Sequence, residues 1–194
     1  MTQEELTEKC IAIYQATLEL AAEQGFHGTP MSQIAKQAGV GVGSIYRYFE
    51  DKDDLIHAVH AMADKRLVAA LRENFDVQAS EKQRFMALIT SLTNHFIENP
   101  LEFKFMEQYY NSPYGIQKKR EKFFEELPDN NPDKPYLNLL KGESFKDMPM
   151  PVLHALTFGP LVIGLRDHHS GIQELDENLI QVIADGCWDA VRKH

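Results

Sequence analysis

Apolar residues recur at steps of three and four along almost the whole chain, and this periodicity restricts the fold more than any other feature. Leu6, Cys10, Tyr14, Leu18 and Ala21 fall on one face of a helix, because 3.6 residues complete a turn. Leu55, Ile56, Val59, Met62, Ala63 and Leu67 do the same further on. No convincing stretch alternates apolar and polar residues as a half-buried strand does. The expected class is therefore all-α, with about nine helices.

Punctuation residues place the helix ends. Gly25 is a natural stop for a helix over 3–24. Thr29 can cap, and Pro30 suits the start of a helix over 31–38, which Gly39 ends. A third short helix is expected over 42–49. Asp51 then caps a long helix, with Asp54 three residues later as a capping-box-like partner. Ser80 starts the next helix, which "NP" at 99–100 breaks; another runs over 101–111 to "SP" at 112–113. A polar helix, "GIQKKREKFFEEL", follows. "PDNNPDKP" at 128–135 reads as a loop, with a short helix over 135–141 behind it. An apolar helix to His169 and a last one over 177–193 complete the chain.

The 194 residues suit one or two compact domains and carry a formal net charge of −9. The two cysteines, Cys10 and Cys187, cannot form a disulfide framework, and a reduced setting fits them. The opening "MTQEELTEK" is acidic, unlike a secretory signal. The most apolar run, "LVIGL", is far shorter than the roughly 20 residues of a membrane helix. A cytoplasmic protein without a membrane partner is expected.

The two short helices over 31–38 and 42–49, joined by a glycine-containing turn, make a helix-turn-helix. In such a motif the second helix enters the DNA major groove and the first crosses the backbone. Gly43 lets a backbone or sugar come close, and Val42 offers a methyl face to thymine. Ser44 and Arg47 lie one turn apart, and the Arg47 guanidinium can fork onto guanine or clamp a phosphate. Tyr46 and Tyr48 each combine a flat apolar body with a hydroxyl. Lys52 sits in the first turn of the next helix, where free N–H groups and an ammonium make an anion site. Ser32 and Gln33 can reach the adjacent groove edge or backbone.

In this segment the chain resembles the TetR-like transcriptional regulators. The resemblance rests on Gly25-Phe26, Ile34-Ala35, Ala38-Gly39-Val40, then Gly43, Tyr46, Tyr48, Phe49, Lys52 and Leu55, in order and at the family's spacings. It implies an N-terminal DNA-binding domain, residues 1–52, and a C-terminal domain, residues 53–194, that binds an effector and dimerises. It implies that Tyr46 and Tyr48 contact phosphate or sugar. It also implies a double-stranded DNA operator as partner, a largely apolar small-molecule effector, and a homodimer that is neither an enzyme nor dependent on a cofactor. One departure is Gly41, where the family carries a capping serine; glycine can cap but brings no hydroxyl.

The remaining candidates follow from the same resemblance. Phe96, Met106, Tyr109, Tyr110 and Phe158 are expected to line the effector pocket. Leu161, Leu165, Leu179, Ile183 and Cys187, on the last two helices, are expected at the dimer interface. Two other classes compete with this reading. "DHH" at 167–169 with His154 could mark a metal-dependent enzyme, but the acidic clusters such chemistry needs are missing, and histidine at a helix end is favoured by the dipole alone. An interaction adaptor accounts for the acidity but gives no reason for the ordered motif. That motif is itself acidic: residues 1–55 hold four Lys or Arg against nine carboxylates, a net −5. Few phosphate contacts per subunit are therefore expected.

Overall fold

A computed structural model describes residues 3–73, 76–124 and 138–193. Among them the helices run in the order α1 (Gln3–Gln24), α2 (Met31–Gln37), α3 (Val42–Ile45), α4 (Lys52–Glu73), α5 (Glu81–Glu98), α6 (Pro100–Tyr110), α7 (Pro113–Phe124), α8 (Met150–His169) and α9 (Glu177–Val191). No strand is present among the described residues, only an isolated bridge between Phe145 and Arg192. The class is all-α, as the periodicity requires. The loop expected at 128–135 and the first half of the short helix at 135–141 lie outside the described residues.

Most helix ends follow from the residues that punctuate them. Gly25, Gly39 and Gly171 hold φ of 70°, 65° and 75°, a left-handed conformation that a side chain would strain. Ser80 and Gln83 close a full capping box on α5. Asp54 N–H donates to Asp51 Oδ1 at 2.8 Å, and Glu50 N–H donates to Asp54 Oδ2 at 2.9 Å, so Asp51 ahead of α4 and Asp54 in its first turn cap it together.

Two ends differ from expectation. Thr29 does not cap α2: its hydroxyl donates to the Gly25 carbonyl at 2.8 Å, satisfying an orphan acceptor at the end of α1, and Pro30 stands at the cap without a side-chain bond. The third helix is shorter than 42–49. Regular α-helix ends at Ile45, and 46–48 tighten into turns in which Arg47 N–H bonds Ser44 O and Tyr48 N–H bonds Ile45 O.

The packing forms two compact units. The first combines Met1–Lys65 with Leu101–Lys118, more than the 1–52 segment alone. Its core joins Ile13, Leu18, Ile34, Ile45, Leu55 and Val59 to Phe105 and Tyr109 of α6. Phe26 meets Phe105 edge-on at a 5.1 Å centroid distance. Gln108 Nε2 donates to the Ala21 carbonyl at 2.9 Å, tying α6 to α1. Tyr109 is fully buried, stacks on His60 at 3.9 Å and shares a 2.8 Å hydrogen bond with His57. Of the residues expected at the effector pocket, Tyr109 and Met106 are buried in the first unit, to which α6 presents its apolar face. Tyr110 belongs there as well, within 3.3 Å of His60 Nε2, whereas Phe96 and Phe158 belong to the second unit.

The second unit holds Arg66–Pro100 and Lys119–His194, with α5, α8 and α9 packed on one another. Phe85, Phe145 and Trp188 form an aromatic cluster with centroids 5.4–6.0 Å apart. Glu81 accepts a 2.9 Å bond from Ser144 N–H, and Lys193 N–H bonds Ser144 O at 2.7 Å, so the segment before α8 is fastened to both α5 and the end of α9.

The residues expected at the dimer interface differ in their exposure. Leu161, Leu165 and Cys187 are each only 1 % exposed within one protomer, so they fill its core. Burial also pushes the Cys187 thiol up to about 11. Leu179 and Ile183 are half-buried. The large apolar residues that α8 and α9 leave exposed are Val152, Leu156, Ile163 and Val182.

Candidate nucleic-acid interface

The turn between α2 and α3 is built by glycine. Gly39 N–H bonds Lys36 O at 3.2 Å and Val40 N–H bonds Ala35 O at 2.9 Å, the paired bonds of a Schellman ending. They allow the chain to reverse within three residues and start α3 at Gly41, whose extended backbone serves as a side-chain-free cap. Met31, Ile34, Ala35 and Ile45 are buried and lock the two helices into the first unit.

The opposite sides of these helices carry the candidate contacts. Val42, Gly43, Tyr46 and Arg47 are exposed on α3 and its turn, and Ser32 is exposed on α2. Gln33, Ser44, Tyr48 and Lys52 are half-buried. Tyr48 also has its ring against Phe49, at 6.3 Å. Among the described residues, Arg47 and Tyr46 make no side-chain hydrogen bond or ion pair. Their polar atoms are left to solvent or to another molecule.

Gly43 is the most informative position. It lies inside a helix, where glycine costs about 0.5–1 kcal/mol relative to alanine. Its φ is not positive, and a Cβ added there would meet nothing within 4 Å. Nothing within the described chain therefore requires a glycine at that place.

The acids around Lys52 are largely committed to internal bonds. Asp51 and Asp54 cap α4, and Asp53 Oδ1 accepts the Tyr114 hydroxyl at 2.8 Å. Burial first, then this bond and the charges of Asp53 and Asp51, push the Tyr114 hydroxyl up to about 12, so it stays a donor. One exposed cation escaped the sequence reading: Lys36 lies one turn after Ser32 on α2. The i, i+4 spacing from Ser32 is the signal that would have found it.

The "DHH" motif has structural partners. His168 Nδ1 accepts Leu175 N–H at 3.1 Å, and His169 Nε2 lies 3.0 Å from the Phe96 carbonyl. Among the described residues no group of three or more His, Cys, Asp or Glu could hold a metal ion, and no helix is long and apolar enough to cross a membrane.

Comparisons with known proteins bear on both halves. Residues 13–59 match the family described as bacterial regulatory proteins, tetR family. Residues 81–192 match the tetracyclin repressor-like C-terminal domain. A fatty acid metabolism regulator protein of Bacillus subtilis (strain 168) is 35 % identical over 88 residues, which span 45 % of this chain and 44 % of that relative. A TetR family transcription regulator from Marinobacter aquaeolei VT8 superposes over 100 % of both chains with a TM-score of 0.86 at 24 % identity. The regulator FadR of Bacillus subtilis, solved in complex with stearoyl-CoA, gives a TM-score of 0.67 at 20 % identity over 92 % of this chain and 95 % of its own. At these identities the two structural likenesses speak for the fold.

Proposed function

The chain belongs to the TetR family of bacterial regulatory proteins, and from that premise we propose that it is a ligand-responsive, DNA-binding transcriptional regulator. It binds a palindromic operator as a homodimer, represses, and lets go when a small-molecule effector binds. It works by binding rather than by turnover, in the cytoplasm where the operator lies.

Gly43 carries this reading. An exposed helical glycine with open space around it has no purpose inside the protomer, and close approach of a DNA backbone supplies one. Around it, Arg47 takes guanine or phosphate and Val42 a thymine methyl. Ser44, Tyr46 and Tyr48 take phosphate or sugar, and Lys52 holds a phosphate at the start of α4. Ser32 and Gln33 contact the neighbouring backbone. The reader is residues 1–52, and the remainder binds effector and dimerises.

The dimer face is the outer side of α8 and α9, with Val152, Leu156, Ile163 and Val182 at its centre and Leu179 and Ile183 at its edge. Gly159 and Gly186 lie on these helices, and a methyl group added at either would meet nothing within 4 Å, which suits close approach of a second pair of helices. Phe96 and Phe158 remain candidates for the effector site. FadR of Bacillus subtilis was solved with stearoyl-CoA, so a long acyl chain is the effector class to try first. Release requires only that the effector bind the DNA-free state better than the DNA-bound one. The helix suited to carry the change is α4, which contributes residues to both units.

The test is selection from random duplex DNA with purified protein. Enrichment of a palindrome supports the reading; recovery of unenriched sequence at low salt refutes it.

A further inference from the structure

A cleft of about 590 Å³ opens in the first unit beside the helix-turn-helix, within the roughly 300–1,000 Å³ typical of small-molecule sites. Phe26, His27, Asp53, Asn111 and Tyr114 are among the residues lining it. Its chemistry is uneven. Asp53 is the one carboxylate of the lining, and no lysine or arginine is part of it. Phe26 and Tyr114 stand edge to face with centroids 5.6 Å apart. The Tyr114 hydroxyl holds Asp53 Oδ1 at 2.8 Å. Asp53 Oδ2 makes no hydrogen bond among the described residues.

We propose that this cleft is a binding site for a small organic cation with an apolar body, such as an aryl or alkyl ammonium. A fixed carboxylate with a spare oxygen, set beside two aromatic rings, attracts a cation and its apolar substituents together. An anion would meet the Asp53 carboxylate with no lysine or arginine in the lining to offset it. A neutral molecule would gain the rings but forgo the carboxylate.

The position gives the site a consequence. Gln24 to His27 come just before α2, and Asp53 comes just after the α3 turn. Asn111 and Ser112 form the α6–α7 connection, and Pro113 and Tyr114 open α7. A bound cation thus ties both ends of the helix-turn-helix to that connection and changes operator affinity by linkage. This consequence rests on the DNA-binding function proposed above; the binding itself does not.

The full chain is titrated with benzyltrimethylammonium, benzoate and benzyl alcohol, followed by amide NMR shifts. Saturable shifts at residues 25–27, 53, 111, 112 and 114 are expected with the cation alone. Asp53→Asn weakens its affinity roughly tenfold or more. His27→Lys, an exposed change that places a charge at the rim without touching the core, weakens it as well. Equal responses to all three probes, shifts confined to other residues, or unchanged affinity in both variants overturns the proposal. The cation is then added to an operator-binding titration of the wild type. Binding of the cation without any change in operator affinity removes the linkage and leaves the site standing.

Discussion

The Tyr14 hydroxyl donates a 2.7 Å hydrogen bond to Oε1 of Glu102, and both side chains are buried although 88 residues separate them in sequence. Burial of a carboxylate is costly unless donors face it, and Tyr14 is one of those donors. Tyr14→Phe keeps the ring and removes the donor. It is expected to lower stability by about 1–3 kcal/mol, measured as the urea midpoint at constant m-value.

Gly43→Ala separates folding from DNA binding. A methyl group there meets nothing within the chain, and alanine favours a helix, so the melting temperature should hold or rise. Operator affinity should fall, as read by gel shift. Arg47→Ala should cost binding by about 1–3 kcal/mol if the side chain forks onto guanine. Unchanged affinity in both variants would place the interface elsewhere.

The acidic reader predicts a shallow salt dependence. Each neutralised phosphate contributes about −0.9 to the slope of log K against log salt. With four cations in residues 1–55, the slope for a dimer should stay well short of ten in magnitude. Binding isotherms at several potassium chloride concentrations give it directly.

The two sides of α8 should behave differently on substitution. Ile163→Glu, on the exposed side, should shift the chain from dimer to folded monomer in sedimentation equilibrium. Leu165→Ala, in the core, should instead destabilise the protomer by about 2–5 kcal/mol. If Ile163→Glu remains dimeric, the second copy docks on another face.

Glu81 should shape the acid limb of stability. Bonds from Ser144 hold its carboxyl below the ordinary value, although partial burial opposes them. A carboxyl whose folded pKa is lowered stabilises the fold above its unfolded pKa, and that contribution is lost as pH falls through the folded pKa. Glu81→Gln should therefore flatten stability against pH from about pH 5 downward, which melts in a pH series would reveal. Near neutral pH the variant should be the less stable of the two.

What could be read in the sequence was local. The glycine stops at Gly25 and Gly39, the Ser80 cap and the Asp51–Asp54 cap of α4 each depend on residues within four positions, and all formed as their residue types dictate. The tight turns at 46–48 were not legible, because apolar periodicity is the same through regular and tightened turns. The packing of α6 on α1 was not legible either. Tyr14, Glu102, Gln108 and Ala21 meet only after long stretches of chain have folded, and such partners leave no periodic mark. On α8 apolar residues surround the helix, so spacing alone could not tell Leu161, which turns inward, from Ile163, which faces out.

The first unit's interrupted order, residues to Lys65 and then Leu101 to Lys118, bears on how such a protein could be re-engineered. A chimera cut at residue 52 would transplant the reading head without the Glu102 and Gln108 side chains that bond Tyr14 and Ala21, and without the Tyr114 ring that packs on Phe26. A transferable cassette must carry both stretches, or the recipient must supply matching side chains at its own sixth helix. Operator specificity in this chain is thus portable only as a discontinuous graft.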